Sequence, residues 1–235
     1  MSGILYLIPA PMGGDTLNDI LPADVLEIAK RLTYFVVENA KTTRAHLKMF
    51  GTPHELRSLQ MDELSEHTKD HEVFALLKPL LDGIDVGLMS EAGCPGVADP
   101  GARLVQLAHQ RGIKVVPLVG PSSLLLALMA SGANGQKFRF NGYLPSDAAG
   151  RVLAIRNLEA TSAKEGQAEL FIETPYRNGA LFQALVATLK PGSRLTVACD
   201  ITLPSQEILT LEAGQWRKKP EPNIHKRPTV FIIQA

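Results

Sequence analysis

Four carboxylates in this chain stand where α/β proteins usually do chemistry. Glu38, Glu91, Glu173 and Asp200 each lie at the carboxyl end of a predicted strand or in the loop beyond it. A carboxylate there can take a proton from a hydroxyl, bond a ligand hydroxyl or cap the next helix, and the residues alone leave these roles open. Arg44 and Arg177 follow two of them and carry guanidinium groups suited to gripping a phosphate or a carboxylate. The densest signal is Ser90-Glu91-Ala92-Gly93-Cys94-Pro95-Gly96-Val97-Ala98-Asp99-Pro100-Gly101, too rich in glycine and proline for helix or strand. Asp99-Pro100 reads as a helix start, with a capping acceptor followed by proline at the first helical position. Capping does not account for the stretch from Ser90 to Ala98, because strand-to-helix connections usually run about 2–6 residues. The excess marks a ligand-binding loop, in which Gly93 is expected to let backbone approach the ligand closely. Cys94 has no flanking His or Lys, so a neutral, pocket-lining thiol is expected.

Two further loops have the same character. Pro9-Ala10-Pro11-Met12-Gly13-Gly14 follows the first apolar run, and Val119-Gly120-Pro121-Ser122-Ser123 opens a helix. The latter offers backbone N–H groups and hydroxyls at a helix N-terminus, where a carboxylate or phosphate is held well; simple N-capping by Ser122 is the competing role.

The elements that must position these loops follow from apolar patterning. Strands are predicted over 4–8, 34–37, 85–89, 113–117, 138–141, 170–172, 195–199, roughly 207–211 and 230–233, with a further short one over 56–59. Helices are predicted over 22–32, 42–50, 73–81, 102–111, 124–131 and 151–158, and from after Arg177 to Leu189, with Gly51 and Gly112 as stops. In the helix over 102–111, Leu104, Val105, Leu107 and Ala108 face inward. Strand and helix alternate at first, whereas the last third is richer in strands joined by short turns. The pattern implies an α/β protein of two domains, a mainly parallel one over 1–118 and a mixed-sheet one over 119–235, with the boundary near Pro117 to Pro121. Arg217 to Pro228 is basic and proline-rich, a solvated loop or a phosphate contact.

With 235 residues, 45% of them hydrophobic, the chain has ample material for cores. Lys and Arg number 24 against 24 Asp and Glu, so no global field attracts a polyanion and any nucleic-acid surface must be local. Cys94 and Cys199 have neither disulfide-framework nor zinc-ligand spacing, and no metal site is expected. Met1-Ser2-Gly3-Ile4 leads into a strand without a targeting or membrane-spanning pattern, so a cytoplasmic protein with no membrane association is expected. No G-x-G-x-x-G follows the first strand, which argues against a dinucleotide site.

Ser90 to Pro95, Asp99-Pro100-Gly101 and Val115-Val116-Pro117-Leu118-Val119-Gly120-Pro121-Ser122 resemble successive motifs of the tetrapyrrole methylase superfamily. Within it the chain is most similar to the small-subunit ribosomal RNA cytidine 2′-O-methyltransferases. The likeness extends in order through Leu5 to Gly13, Glu38 to Arg44, Phe140 to Pro145, Glu173 to Arg177 and Ala198 to Glu207. The resemblance implies a two-domain, tetrapyrrole-methylase-like fold that binds S-adenosylmethionine in the cleft between domains, as a homodimer. The implied cofactor contacts are Pro9, Ser90, Glu91, Ala92, Gly93, Val97, Gly120, Pro121, Ser122, Ser123, Tyr143, Leu144 and Pro145. Glu38, Arg44 and Glu91 are the implied catalytic group, and Lys41, Arg177, Arg217 and Lys218 the substrate contacts. The implied acceptor is a ribose 2′-hydroxyl of small-subunit ribosomal RNA; a tetrapyrrole-type small molecule, or cofactor binding without catalysis, are the alternatives. The chain departs from the pattern on the acceptor side. It has Asn39-Ala40-Lys41 where an acidic residue, Thr and Arg are usual, Glu91 for Asp, Cys94 for Thr, and Cys199-Asp200 for Arg-Glu.

Overall fold

The computed structural model describes residues 2–14 and 20–235, so the Met1 of the first stretch lies outside it. The chain divides into two compact units, residues 1–122 and 123–235.

The first unit runs β1 (Ile4–Leu7), α1 (Ala23–Arg31), β2 (Tyr34–Val37), α2 (Ala40–Phe50), β3 (Gln60–Glu63), α3 (Asp70–Ala75), α4 (Lys78–Leu81), β4 (Val86–Met89), α5 (Gly101–Gln110) and β5 (Lys114–Pro117). Its sheet has the order β3-β2-β4-β1-β5, and all four pairings are parallel. A parallel sheet is stable when both faces are covered, which requires strands that are apolar on both sides. Leu5, Val36 and Leu88 pack with Leu77, which precedes α4, and with Leu80 of α4 and Leu104 of α5 on one face. Tyr6, Phe35, Val37 and Met89 pack with Val25, Ala29 and Leu47 of α1 and α2 on the other. The loops that leave the neighbouring strands β1 and β4 thus lead to helices on opposite faces, an arrangement that opens a crevice at the carboxyl edge of the sheet.

Three expectations are corrected here. The strand expected over 56–59 forms instead at Gln60–Glu63, paired in parallel with β2 from Tyr34↔Gln60 to Val37↔Glu63. β3 is an edge strand, so its polar residues are tolerated, while the apolar anchors Leu59 and Leu64 flank it and are buried. The helix expected over 73–81 is two short helices, because Pro79 lacks an N–H and its ring crowds the carbonyl four residues back, at Ala75, where α3 ends. α5 starts at Gly101, with Pro100 as its N-cap residue in place of Asp99. Its buried face is Leu104 and Ala108, with Val105 and Leu107 only partly covered.

The second unit runs α6 (Ser123–Ser131), β6 (Phe138–Tyr143), α7 (Ala148–Glu165), β7 (Ala168–Ile172), α8 (Asn178–Thr188), β8 (Arg194–Cys199), β9 (Glu207–Glu212), α9 (Ala213–Trp216) and β10 (Thr229–Gln234). Its sheet, in the order β6-β7-β10-β8-β9, is mixed: β6 and β7 are parallel, and the other pairings are antiparallel. Its core holds Phe171 stacked on Phe231 and Phe182 set edge-on against Trp216. α7 is far longer than the expected 151–158, since Asp147 caps it through the Gly150 N–H and it continues to a left-handed Gly166. No helix among the described residues is long and apolar enough to cross a membrane.

Candidate active site

Four of the five parallel strands, β1, β2, β4 and β5, end on the same edge of the first unit in loops that meet one another. Glu38 closes β2, its N–H donating to the Met89 carbonyl of β4 at 3.1 Å. Its Oε2 accepts the Glu91 N–H at 3.0 Å, which joins two of the predicted catalytic carboxylates across 53 positions of sequence. Asn39 caps α2 by accepting the N–H groups of Lys41 and Thr42 at 3.0 and 3.1 Å. Thr42 then donates its hydroxyl to Glu91 Oε1 at 3.2 Å. Lys41 and Arg44 are exposed on α2, and neither side chain bonds Glu38 or Glu91 among the described residues.

The long loop after β4 is held from within. Asp99 accepts the Gly96 N–H at 2.9 Å and the Gly101 N–H at 2.7 Å, so one carboxylate both closes the loop and satisfies an orphan donor of α5. Burial raises the Asp99 pKa, against the pull of the N–H groups of Gly101 and Gly96 and the Ser90 hydroxyl. Ala98 takes a left-handed φ of 62°, a strained conformation for an L-residue that the flanking bonds of Asp99 help to hold. A cavity of about 10 Å³ lies between Glu38, Ser90 and Asp99. It has room for a single water, so a larger ligand must sit outside it, on the loops.

These loops are tied to one another. Ala10 and Gly93 exchange backbone hydrogen bonds of 2.8 and 3.0 Å, linking the loops after β1 and β4. Cys94 Sγ donates to the Pro121 carbonyl at 3.2 Å, linking the loops after β4 and β5. Burial, and secondarily the charge of Asp99, push the Cys94 thiol up, so it stays protonated and serves as a donor. Gly120 lies against Pro9 so closely that an added Cβ would fall 2.2 Å from the proline Cβ. At Gly120 the tight packing is between two loops of the protein itself. A Cβ on Gly93 would meet only the Pro121 carbonyl oxygen, at 3.7 Å, and that glycine is required by its φ of +72°. Pro9, Ser90, Gly93 and Pro121 are buried, Gly120 and Ser122 partly covered, and Glu91, Ala92 and Val97 exposed along the rim.

The candidates in the second unit are dispersed by comparison. Ser123 opens α6, Tyr143 ends β6 exposed, and Pro145 is exposed, whereas Leu144 is buried in the core of its own unit. Glu173 has a fully buried side chain whose Oε1 accepts from the Thr174 N–H and from Arg177 Nε and Nη2, at 2.6, 3.0 and 2.7 Å. Arg177 is thereby held in place, with part of its guanidinium in solvent. Asp200, also buried, is paired with Arg227 at 2.8 Å and accepts the Ser205 hydroxyl at 2.7 Å, which leaves it a structural ion pair. Arg217 donates to the carbonyls of Val186 and Leu189 at the end of α8, so its guanidinium serves a helix terminus, while Lys218 is exposed. His46, which sequence reasoning passed over, is 9% exposed within range of the Glu91 charge and stacks on Phe50, and its Nδ1 makes no hydrogen bond among the described residues. Its place on the Thr43, His46, Leu47, Phe50 face of α2 is the helical periodicity that signals it.

No protein-family model matches the chain. A protein named ribosomal RNA small subunit methyltransferase I from Escherichia coli O157:H7 is 31% identical over 236 residues, spanning 99% of this chain and 78% of the relative. Its namesake from Neisseria meningitidis serogroup B is 32% identical over 215 residues, spanning 92% and 69%. Among solved structures, the methyltransferase CobJ shares the fold at a TM-score of 0.63 and 17% identity, covering 100% of this chain and 95% of its own. On this similarity over nearly its full length, the chain belongs to the ribosomal RNA small subunit methyltransferase I family.

Proposed function

We propose that this protein uses S-adenosylmethionine to methylate a ribose 2′-hydroxyl of small-subunit ribosomal RNA. The observation that carries the reading is the set of loops after β1, β4 and β5, bonded to one another above two adjoining carboxylates at one edge of a parallel sheet. That edge suits a cationic, part-apolar cofactor. Glu91 is exposed there, Val97 and Val119 are 49% and 73% exposed, and Gly120 is flush against Pro9, so no side chain intrudes. Pro9, Ser90 to Gly93, Val97 and Gly120 to Ser122 are proposed to hold the cofactor. When bound, it supplies a methyl carbon on a sulfonium, an electrophile that chiefly requires an oxygen held in line.

The chain's own part is to hold that oxygen and take its proton. Glu38 Oε2 is engaged by the Glu91 N–H, which orients the carboxylate and leaves Oε1 to receive the proton of a ribose hydroxyl. Glu91, fixed through Thr42, adds negative charge near the cationic cofactor. Arg44 and Lys41, exposed on the first turns of α2, are proposed as contacts to RNA phosphates. The reading includes a cytoplasmic homodimer. The free thiols Cys94 and Cys199 suit a reducing compartment. A second copy is proposed to cover α6, whose Leu125 and Met129 are 51% and 79% exposed on a helix with hardly a polar side.

The test is transfer of labelled methyl to small ribosomal subunits from cells lacking this protein, with subunits from normal cells as control. Label is expected in the former and not in the latter, and Glu38→Gln is expected to lower turnover by about a hundredfold. Label entering both equally, or neither, refutes the acceptor assignment.

A further inference from the structure

A second feature, in the C-terminal unit and unrelated to the carboxylate loops, carries a recognition role. Tyr176 sits in the turn between β7 and α8 and is 72% exposed, so its ring adds little to the core. The turn that carries it is nonetheless locked. Asn178, fully buried, donates its amide to the carbonyls of Ile224 and Arg227 at 3.2 and 2.7 Å and approaches the Thr229 hydroxyl at 3.2 Å. The Lys226 N–H donates to the Pro175 carbonyl at 3.0 Å, with Lys226 in a left-handed φ of 60°. These bonds make one rigid piece of the turn over 174–178 and the loop over 224–229, and that piece presents a cluster. The His225 ring meets Tyr176 edge-on, with centroids 6.4 Å apart. The Lys226 ammonium lies over the tyrosine ring, 5.7 Å from its centroid. Arg177, the next residue, is held through Glu173 with 42% of its side chain in solvent.

An exposed aromatic ring on an ordered backbone, beside cations, is what an unpaired nucleobase stacks on. Every base has a π-face, the neighbouring cations meet the adjoining phosphates, and little backbone entropy is lost because the turn beneath the ring is already locked. A duplex hides its base faces and would gain only the charge. We propose that Tyr176, His225 and Lys226 form a stacking platform for an unpaired RNA base, with Lys226 and Arg177 supplying charge to the flanking phosphates. The proposal rests on the reading above that the acceptor is RNA, and it gives a protein of zero net charge a local means of engaging one.

The experiment is fluorescence anisotropy of the full chain with a short, labelled, unpaired oligoribonucleotide. Tyr176→Ala should weaken binding about tenfold or more, and Tyr176→Phe, which keeps the ring, should stay within about twofold of the parent. Lys226→Gln should lower the slope of log affinity against log salt by about 0.7, one phosphate contact on a single strand. Thermal melting should be unchanged in Tyr176→Ala, since the ring is exposed. Parental binding by Tyr176→Ala, equal loss in Tyr176→Phe, or equal affinity for a duplex overturns the platform. The two readings fail separately. If subunits are methylated and the KM of Tyr176→Ala for them is unchanged, the platform falls and the acceptor assignment stands. If no subunit is methylated but oligonucleotide binding still needs the ring, the platform stands and the acceptor assignment falls.

Discussion

Substituting Gly120 by alanine tests whether the loop junction is the working part of this fold. The new Cβ would lie 2.2 Å from Pro9 Cβ, 2.4 Å from Pro9 Cγ and 3.2 Å from Leu21 Cδ2. Carbon atoms settle at about 3.5–4.0 Å, so the loops after β1 and β5 must part by roughly 1.3 Å or more. Pro9 cannot yield by rotation, being a ring fixed to a buried backbone. Overpacking of this kind costs about 1–3 kcal/mol. For a chain of this size, that corresponds to a fall in melting temperature of about 2–12 °C. The second consequence is functional. Parting the loops strains the Cys94 to Pro121 hydrogen bond and shifts the loops proposed to hold the cofactor, and a displacement of about 1 Å in a positioned site costs up to roughly a hundredfold. The assays are thermal melting and calorimetric titration with S-adenosylmethionine. The cause is isolated by a double-mutant cycle: Pro9→Gly removes both closest atoms, so the pair should be less damaged than the two singles summed, by at least about 0.5 kcal/mol. Gly93→Ala is the contrast, costing about 1–2 kcal/mol through its left-handed backbone and showing no rescue by Pro9→Gly. Parental melting and titration by Gly120→Ala, or strict additivity in the cycle, would refute the reasoning.

Burial lowers the pKa of His46, with the charge of Glu91 opposing, so the unfolded chain takes up a proton near the ordinary 6.5 while the folded chain resists it. Stability should therefore fall as pH drops below about 6.5 toward the lower folded value and be flat above it. His46→Leu should remove that slope and, by eliminating an unbonded buried nitrogen, add about 1 kcal/mol in urea titrations across pH; an identical pH dependence in the variant counts against this account. If α6 is the dimer face, light scattering should give a mass near twice 25.5 kDa for the parent and near 25.5 kDa for Met129→Glu, and a monomeric parent disposes of the idea.

Much of the fold is legible locally. Strands buried on both faces read as continuous apolar runs, as at Tyr34–Val37 and Val86–Met89, because a parallel sheet covered on both sides admits nothing else. Helix stops at Gly51 and Gly112 are legible because a left-handed residue there is a backbone demand that glycine meets most easily. β3 escapes this logic. As an edge strand it owes its place to pairing with β2, and three of its four residues are polar. Pro79 was in view, but the apolar spacing on either side of it runs through the break and hides two helices as one.

The sequence by itself determined that glycine- and proline-rich loops follow strands and that carboxylates stand at the strand ends. These are properties of composition and local order, and the order of the motifs adds a family resemblance to them. Which of the carboxylates remain available was decided only by tertiary structure. Glu38 and Glu91 meet through a bond between residues 53 apart in sequence, whereas Asp200 is taken by Arg227 and Glu173 by Arg177. The glycines divide in the same way. A positive φ, as at Gly93, is a local requirement that a turn-rich sequence announces, but the absence of room at Gly120 is set by Pro9, which reaches it only when β1 and β5 lie side by side. Chemistry between side chains falls off within a few ångströms, and nothing in the linear order records which distant residues the sheet will bring within that range.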